Sequence, residues 1–210
     1  MPASPDPVSA APSRPSRIQR RNRKRILEAA LEVFSQHGYR GTTLDQIADG
    51  AGLSKPNILY YFAGKEEIHV TLLNDLMDAW LAPMRAIDPG GEPLDEILRY
   101  VHRKIEMSRA LPRESRLFAN EILQGAPRMG PHLETGLKPL VDDTAALIAG
   151  WIAEGRLARV DPLHLIFSIW ATTQHYADFD AQVQVLTEGG DDYDGAHAFL
   201  DTLYRRLLAP

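Results

Sequence analysis

The sequence contains no cysteine, which excludes disulfide bonds, thiolate metal ligands and thiol nucleophiles. It also lacks an apolar run long enough to span a membrane, and no signal-peptide hydrophobic segment follows its start. We therefore expect a cytoplasmic protein with no membrane partner. The length of 210 residues suits one or two domains, each with a hydrophobic core of its own.

Motifs of the common enzyme classes are missing too. There is no P-loop, no G-x-S-x-G, no H-E-x-x-H and no EF-hand loop. The seven histidines are scattered, and no two of them are four residues apart, so a metal site on one helix face is not expected. We therefore expect no catalytic residues, no metal and no resident cofactor.

Charge is distributed unevenly along the chain. Residues 1–65 contain ten Lys or Arg and five Asp or Glu, a net charge of +5. The whole chain carries −5, so residues 66–210 carry −5 − 5 = −10. A basic segment on an acidic body can bind a polyanion even when the total charge is negative. A solvated charge run near a terminus is the plainer alternative.

Helical periodicity dominates after residue 20, and no segment alternates over strand length, so the pattern predicts an all-α fold. The opening residues 1–16 are rich in Pro, Ser and Ala and are predicted to form a disordered arm. Helices are expected at about 20–37 (ended by Gly38), 43–52, 54–62, 65–87, 94–110, 113–125, 132–154, 162–187 and 194–208. Pro83 and Pro139 are expected to bend the helices that contain them.

Two short helices separated by a glycine turn stand out between Thr42 and Lys65. Thr43 and Gln46 form a capping box at the start of the first helix, and Gly52 ends it. Ser54 caps the second helix, which has Pro56 in its first turn. A helix-turn-helix of this kind places its second helix in the major groove, so the pattern predicts a double-stranded DNA partner.

The segment from Gly41 to Ile68, GTTLDQIADGAGLSKPNILYYFAGKEEI, resembles the N-terminal domain of the TetR family of bacterial regulators. The resemblance implies a three-helix DNA-binding head at 17–65 and a larger helical body at 66–210 for ligand binding and dimerisation. It also implies a homodimer, a DNA operator, a small-molecule effector and action as a repressor.

The resemblance also assigns DNA contacts. Thr43 matches a phosphate contact, Tyr61 and Lys65 match backbone contacts, and Tyr60 matches a groove-facing position. Lys55, Pro56 and Asn57 match positions that face the bases, and Lys55 and Asn57 carry polar groups able to read base edges. The family often has Tyr where this chain has Leu59, so that phosphate contact is expected to be lost or moved to Tyr60.

Three segments of the body resemble pyrimidine-utilisation regulators within that family. They are RLFANEILQGAP (116–127), ALIAGWI (146–152) and HLIFSIWATTQHYADF (164–179). The resemblance implies uracil or thymine as the effector. The residues expected to bind it are Trp80, Arg116, Trp170, Gln174 and Tyr176.

The residues themselves give that assignment a chemical basis. Trp170 and Gln174 are four apart and share a helix face, within a stretch (170–176) that is unusually polar for a buried helix. The amide of Gln174 can pair with the imide edge of uracil, and an indole can stack on its ring. The tryptophans could instead be plain core residues, and Arg116 could pair with Glu121 or another acid.

Other interpretations of the body stay open at this point. It could bind another small, flat, polar molecule, serve as a protein-interaction scaffold, or be a helical enzyme fused to a DNA-binding arm. The last two helices are expected to form a four-helix interface between subunits. Their apolar candidates for that interface are Ile166, Ile169, Phe199, Leu203 and Leu207.

Overall fold

A computed structural model describes residues 16–190 and 192–210, so nearly all of the predicted disordered arm, residues 1–15, lies outside the described part. Within those ranges the chain is helical and has no strand, which confirms the predicted all-α fold. The helices are α1 (Arg17–Gly41), α2 (Leu44–Ala51), α3 (Lys55–Tyr61), α4 (Lys65–Arg85), α5 (Pro93–Ala110), α6 (Pro112–Leu123), α7 (Gly130–His132), α8 (Lys138–Ala153), α9 (Pro162–Asp178), α10 (Asp180–Leu186) and α11 (Tyr193–Leu208).

Side-chain caps set the starts of the first three helices. Ser16 and Gln19 form a capping box on α1, and Thr43 and Gln46 form the predicted one on α2. Ser54 accepts from the Asn57 N–H at the start of α3. Gly38, inside α1, has a φ of 64°, so the regular helix is interrupted where the sequence predicted its end.

The small helices pack on α1 through a compact apolar core. Ile26, Ala30 and Phe34 of α1 are fully buried, as their spacing predicts. Ile47 of α2 and Ile58 of α3 are buried against them. Ile58 is the only residue of α3 that is buried, so the rest of this short helix is free to present its side chains outwards.

The same core continues into the body without a break. Ile68 and Leu73 of α4 and Leu117 of α6 belong to the cluster that contains Ile47 and Phe62. A second cluster joins α5, α8, α9 and α11 around residues such as Val101. The division into a head at 17–65 and a body at 66–210 therefore stays a prediction, because packing crosses residue 65.

Two of the predicted long helices are divided. The segment expected to be one helix at 132–154 contains α7, a π-helical turn (Leu133–Leu137) and α8, and Pro139 lies in the first turn of α8. His132, Leu137 and Lys138 all have helical φ and ψ, so the backbone stays helical through the π-helical turn, and the expected bend at Pro139 stays a prediction. The expected helix at 162–187 is divided into α9 and α10 at Phe179, whose φ of −112° and ψ of 29° are not helical.

The expected subunit-interface residues separate into two groups. Ile166 and Ile169 are buried in the chain's own core, so of the two locations left open for these candidates they occupy the core. Phe199 and Leu207 on α11 are exposed, and Leu163 and Phe167 on α9 are exposed as well. None of the helices in the described ranges is long and apolar enough to cross a membrane.

Candidate functional site

The outward face of α3 carries the side chains predicted to read DNA. Lys55, Pro56 and Asn57 are all exposed in the first turn of this helix. The Lys55 ammonium lies 3.0 Å from Asp45 Oδ2, and both side chains are about half or more exposed. An exposed pair of this kind contributes little to stability, so a phosphate or a base can compete for the lysine.

Tyr60 and Tyr61 extend this surface toward α1. The Tyr60 side chain is 70% exposed, which is unusual for an aromatic ring without a ligand. Its hydroxyl accepts from Gln19 Nε2 at 3.0 Å, and that of Tyr61 accepts from Asn22 Nδ2 at 3.1 Å. Each phenol keeps its own proton, and among the described residues neither proton has an acceptor. Both O–H groups can therefore donate to phosphate oxygens.

Those two hydrogen bonds also bring the basic start of α1 beside α3. Its cations are exposed: Arg17, Arg20, Arg21, Arg23, Lys24 and Arg25. The Arg23 guanidinium lies 4.4 Å from the centroid of the Phe62 ring, so it is held close to the end of α3. The basic run thus flanks α3 and supplies a positive field around it.

Two of the predicted phosphate contacts already have internal partners. The Thr43 hydroxyl caps α2, accepting from the Gln46 N–H and donating to Gln46 Oε1. The Lys65 ammonium donates to the carbonyl oxygens of Tyr39 and Thr42, at 2.7 Å each. Lys65 therefore ties the end of α1 to the start of α4, a structural role that the sequence did not suggest.

A cavity in the body brings together three of the five predicted effector residues. Trp80 of α4 and both Trp170 and Gln174 of α9 line it, although 94 positions separate the first from the last. Its remaining lining residues are Met77, Leu81, Tyr100, Lys104, Phe118 and Leu137. The cavity has a volume of about 60 Å³ and is partly open to solvent.

The polar groups of the cavity are Gln174, Lys104 and a pair of aromatic residues. Trp170 Nε1 donates to the Tyr100 hydroxyl at 2.7 Å, which fixes the indole that forms one wall. The Gln174 amide has no hydrogen-bond partner among the described residues. Gln174 is only partly buried, so its amide is accessible, and an amide without a protein partner at the edge of a cavity is able to bind a polar ligand.

Arg116 and Tyr176 do not line this cavity, so their contact with an effector stays a prediction. Successive residues on a helix are about 100° apart, and each of the two is two positions from a lining residue. Arg116 therefore lies opposite Phe118 on α6, and its guanidinium is 4.0 Å from Asp180 Oδ2. Tyr176 lies opposite Gln174 on α9 and packs against Tyr193.

The polar stretch on α9 is mostly satisfied within the protein. Thr172 donates to the Ser168 carbonyl and lies 2.9 Å from the Tyr204 hydroxyl, and Thr173 donates to the Ile169 carbonyl. His175 is exposed and stacks on Phe179. The sequence argument that a ligand must satisfy this stretch therefore applies to Gln174 alone.

Sequence reasoning missed Lys104 and Tyr100. Lys104 is only 2% exposed, and its Nζ lies 4.8 Å from the centroid of the Trp80 ring. Burial lowers the pKa of its ammonium to about 7, against the attraction of Asp178. A signal was present: positions 97, 101 and 105 form an apolar stripe at helical spacing, and Tyr100 and Lys104 fall within it.

Two histidines and the possible metal ligands need separate mention. His69 is buried between the rings of Phe34 and Tyr39. His102 stacks on His197 and lies 3.1 Å from Asp201. In the part of the chain that the structure describes, no three His, Asp or Glu side chains are grouped so that they could hold a metal.

Two family profiles together match nearly the whole described chain. "Bacterial regulatory proteins, tetR family" matches residues 26–70, and "YcdC-like protein, C-terminal region" matches residues 73–210. The first covers α2, α3 and most of α1, together with the start of α4. The second covers the remainder of α4, the cavity and every later helix.

Individual relatives agree with these profiles. The HTH-type transcriptional regulator RutR of Escherichia coli K12 is 51% identical over 172 residues, which are 82% of this chain and 81% of RutR. TcmR of Streptomyces glaucescens is 30% identical over 149 residues, 67% of this chain and 59% of TcmR. The structure of KstR2 of Mycobacterium tuberculosis superposes with a TM-score of 0.72 at 23% identity, covering 90% of this chain and 95% of KstR2. These relatives are transcriptional regulators and not enzymes, and the chain belongs to the TetR family of ligand-responsive, DNA-binding transcriptional regulators.

Proposed function

We propose that this protein is a homodimeric cytoplasmic repressor that leaves its operator when uracil or thymine binds. The observation that carries the effector assignment is the cavity itself. Trp80, Trp170 and Gln174 were selected from the sequence for their fit to a pyrimidine, and all three line one cavity. The similarity of the body to pyrimidine-utilisation regulators supports the same ligand class.

The chemistry of the cavity suits a flat, polar ring. The indoles of Trp80 and Trp170 can stack on a pyrimidine face. Uracil presents an N–H between two carbonyl groups, and the Gln174 amide offers the complementary acceptor and donor. Cytosine reverses part of this pattern and would leave buried groups unpaired, so it should bind far more weakly. The methyl group of thymine adds only apolar volume.

For DNA, the exposed face of α3 and the basic start of α1 are the proposed contact surface. A dimer would place two such α3 helices about one turn, ~34 Å, apart on a palindromic operator. Asn57 and Lys55 would contact base edges. The exposed cations of α1, with Tyr60 and Tyr61, would contact phosphates.

Helix α4 gives the effector a route to the DNA-binding surface. It begins at Lys65, which is bonded to the end of α1, and carries Trp80 into the cavity. A ligand changes DNA binding only if it binds one arrangement of the body better than another. A tilt of α4 on uracil binding would change the separation of the two α3 helices in a dimer.

The experiment is a titration of Gln174→Leu with uracil, followed by calorimetry, beside an operator-binding assay. Leucine keeps the side-chain volume and removes the amide, so uracil affinity should fall by tenfold or more while operator affinity is retained. Gln182→Leu is the matched control, because Gln182 is exposed on α10. Unchanged uracil affinity in Gln174→Leu would show that the ligand binds elsewhere.

A thermal-shift screen separates this proposal from its alternatives. Stabilisation by uracil and thymine, but not by cytosine, is the expected pattern. Stabilisation by a different flat, polar compound would overturn the pyrimidine assignment and keep the regulator. The absence of any ligand response would favour a scaffold, and turnover of uracil would favour an enzyme.

A further inference from the structure

The polar groups around the cavity contain more hydrogen-bond donors than acceptors. The Lys104 ammonium and the Tyr100 O–H have no acceptor within the described residues. The Tyr100 oxygen accepts from Trp170, which leaves the phenol proton unused. Gln174 is the one lining residue with an unoccupied side-chain acceptor. The cavity therefore suits a ligand that is rich in acceptor oxygens.

One of these donors is a buried cation without a counterion. Lys104 is 2% exposed, and no carboxylate oxygen of the described residues lies within 4.0 Å of its Nζ. A buried ammonium normally forms an ion pair, because burial without one is costly. The aromatic face of Trp80 compensates only in part, since the Nζ is 4.8 Å from its centroid.

The groups around Lys104 do not form an ion pair with it. On α9, Asp178 is the acid that attracts it, but the Asp178 carboxylate accepts from the Ser115 hydroxyl of α6. Burial raises the pKa of Asp178, and Arg116 and His175 also act on that carboxyl. On α4 and α5 the nearest groups are the Trp80 ring and the Tyr100 phenol, both uncharged, since burial raises the pKa of that phenol further.

We propose that Lys104 is the counterion of the effector, and that the cavity prefers acidic, oxygen-rich pyrimidines that bind as anions to neutral uracil. This inference rests on the proposed function in one respect, that the cavity is the effector site. The diagnostic ligand is barbiturate, which is uracil with one further ring carbonyl. It is a monoanion at neutral pH, presents three acceptor oxygens, and keeps an N–H for the Gln174 acceptor.

Because the bound anion would pair with an amine that can titrate, the preference for anions should be coupled to proton uptake. In the empty protein burial lowers the pKa of Lys104 to about 7, so above that pH the amine is mostly neutral. An anion bound beside it favours the ammonium form and raises that pKa. Binding of barbiturate at pH 8 should therefore take up close to one proton from the buffer. Neutral uracil should take up less.

The test is calorimetric titration of the parent protein with barbiturate and with uracil at pH 8, in two buffers of different ionisation enthalpy. The difference between the buffers gives the number of protons taken up. We expect barbiturate to bind about tenfold more tightly than uracil, because a charge-assisted hydrogen bond is about twice as strong as a neutral one. In Lys104→Met the preference should disappear together with the proton uptake.

Two controls keep the outcome interpretable. Lys138→Met removes an exposed lysine that pairs with Asp142, and it should behave like the parent. The proton count on the parent protein does not depend on whether any variant folds. Barbiturate that binds without proton uptake, or a preference that survives in Lys104→Met, would overturn the role of Lys104.

The two proposals fail in different ways. If uracil binds and barbiturate does not, the counterion inference is wrong and the uracil sensor stands. If barbiturate binds with proton uptake and uracil does not bind, the counterion inference stands and the uracil assignment is wrong. If neither binds to the parent protein, both are wrong.

Discussion

The Arg113 guanidinium, at the start of α6, donates to Glu32 of α1 at 2.9 Å, across the junction between the body and the DNA-binding head. Its other terminal nitrogen donates to Glu28, one helical turn earlier, at 2.7 Å. These two carboxylates raise the pKa of Arg113 further above its already high value. Helix α6 also lines the proposed effector cavity through Phe118. Arg113 therefore joins a cavity helix to the helix that supports α2 and α3.

We predict that Arg113→Gln weakens the coupling between effector and operator. The three side chains are about a third to a half exposed, so their loss should cost less than about 1 kcal/mol of stability. The measurement is operator affinity with and without saturating uracil. We expect the uracil-induced change in operator affinity to fall about threefold. Coupling requires a structural element whose equilibrium both binding sites shift.

Arg205→Gln is the matched control for that measurement. Arg205 forms an equally exposed pair with Asp201, but both residues belong to α11 and neither touches α1. The control should show the parent's coupling. If Arg113→Gln also keeps the parent's coupling, the effector must act on the DNA-binding head through another contact. One such contact is that of Arg128, which lies 3.5 Å from the centroid of the Tyr39 ring.

A second prediction concerns how α3 reads DNA. Asn57→Ala should alter which base is preferred at one operator position, by about 1–3 kcal/mol, because a bidentate amide contact distinguishes bases. Tyr61→Phe should instead weaken binding to all sequences by a similar factor, since it removes only a phosphate donor. A binding screen over single-base operator variants measures both. Identical base preferences for Asn57→Ala and the parent would show that Asn57 does not contact bases.

The local features of the head could be predicted from the sequence because short-range signals determine them. The Thr43 and Gln46 capping box and the turn at Gly52 depend on residues within a few positions of one another. The two hydrogen bonds that Lys65 donates to backbone carbonyls could not be predicted, because its partners Tyr39 and Thr42 lie more than twenty positions away. Only the packed fold brings those carbonyls to the ammonium.

The residues of the cavity were also only partly predictable from the sequence. Trp170 and Gln174 could be assigned to one face from their spacing alone. Arg116 and Tyr176 could not be placed relative to the cavity, because the sequence does not say which face of α6 or α9 turns toward it. Lys104 was missed because a lysine among apolar residues is usually assigned to the solvent side, and its burial becomes visible only when α4 and α9 pack over α5.

A third prediction concerns assembly. Phe199 is 60% exposed on α11, and Phe167 is 47% exposed on α9. The two helices are joined by the Tyr204 hydroxyl, which lies within 3.2 Å of Ser168 and Thr172. Exposed aromatic residues on adjoining helices are typical of a subunit interface. We therefore expect light scattering to give twice the 23.4 kDa chain mass at micromolar concentration.

Phe199→Glu should shift that mass toward a single chain, because it places a charge in an apolar interface. Val185→Glu is the control: Val185 is 77% exposed on α10, outside the two helices of the proposed interface, and its substitution should leave the mass unchanged. A parent protein of 23.4 kDa under the same conditions would contradict the dimer.

The last prediction concerns acid stability and rests on His69. This residue is 2% exposed, its Nδ1 has no partner within the described residues, and its ring contacts Phe34 and Tyr39. Burial, together with the nearby cations Arg128 and Lys65, lowers the pKa of His69 to about 4. Its pKa in the unfolded chain is near 6.5, so between pH 6.5 and 4 the unfolded state binds more protons than the folded state. Stability should therefore be full above pH 6.5 and fall as the pH drops toward 4, by up to about 3 kcal/mol.

His69→Phe should remove most of this acid sensitivity, because a phenyl ring fills a similar volume and cannot take up a proton. The measurement is urea unfolding of the parent and the variant at several pH values from 7.5 to 4. The exposed residue His164 provides the control, since His164→Phe should follow the parent curve. If the two His variants lose stability in parallel as the pH falls, His69 is not the cause of the acid sensitivity. Other groups then cause it, such as the buried carboxylate of Glu121 that is paired with Arg128. If only His69→Phe is resistant, the histidine behind the Tyr39 ring sets the pH range over which the head stays folded against the body.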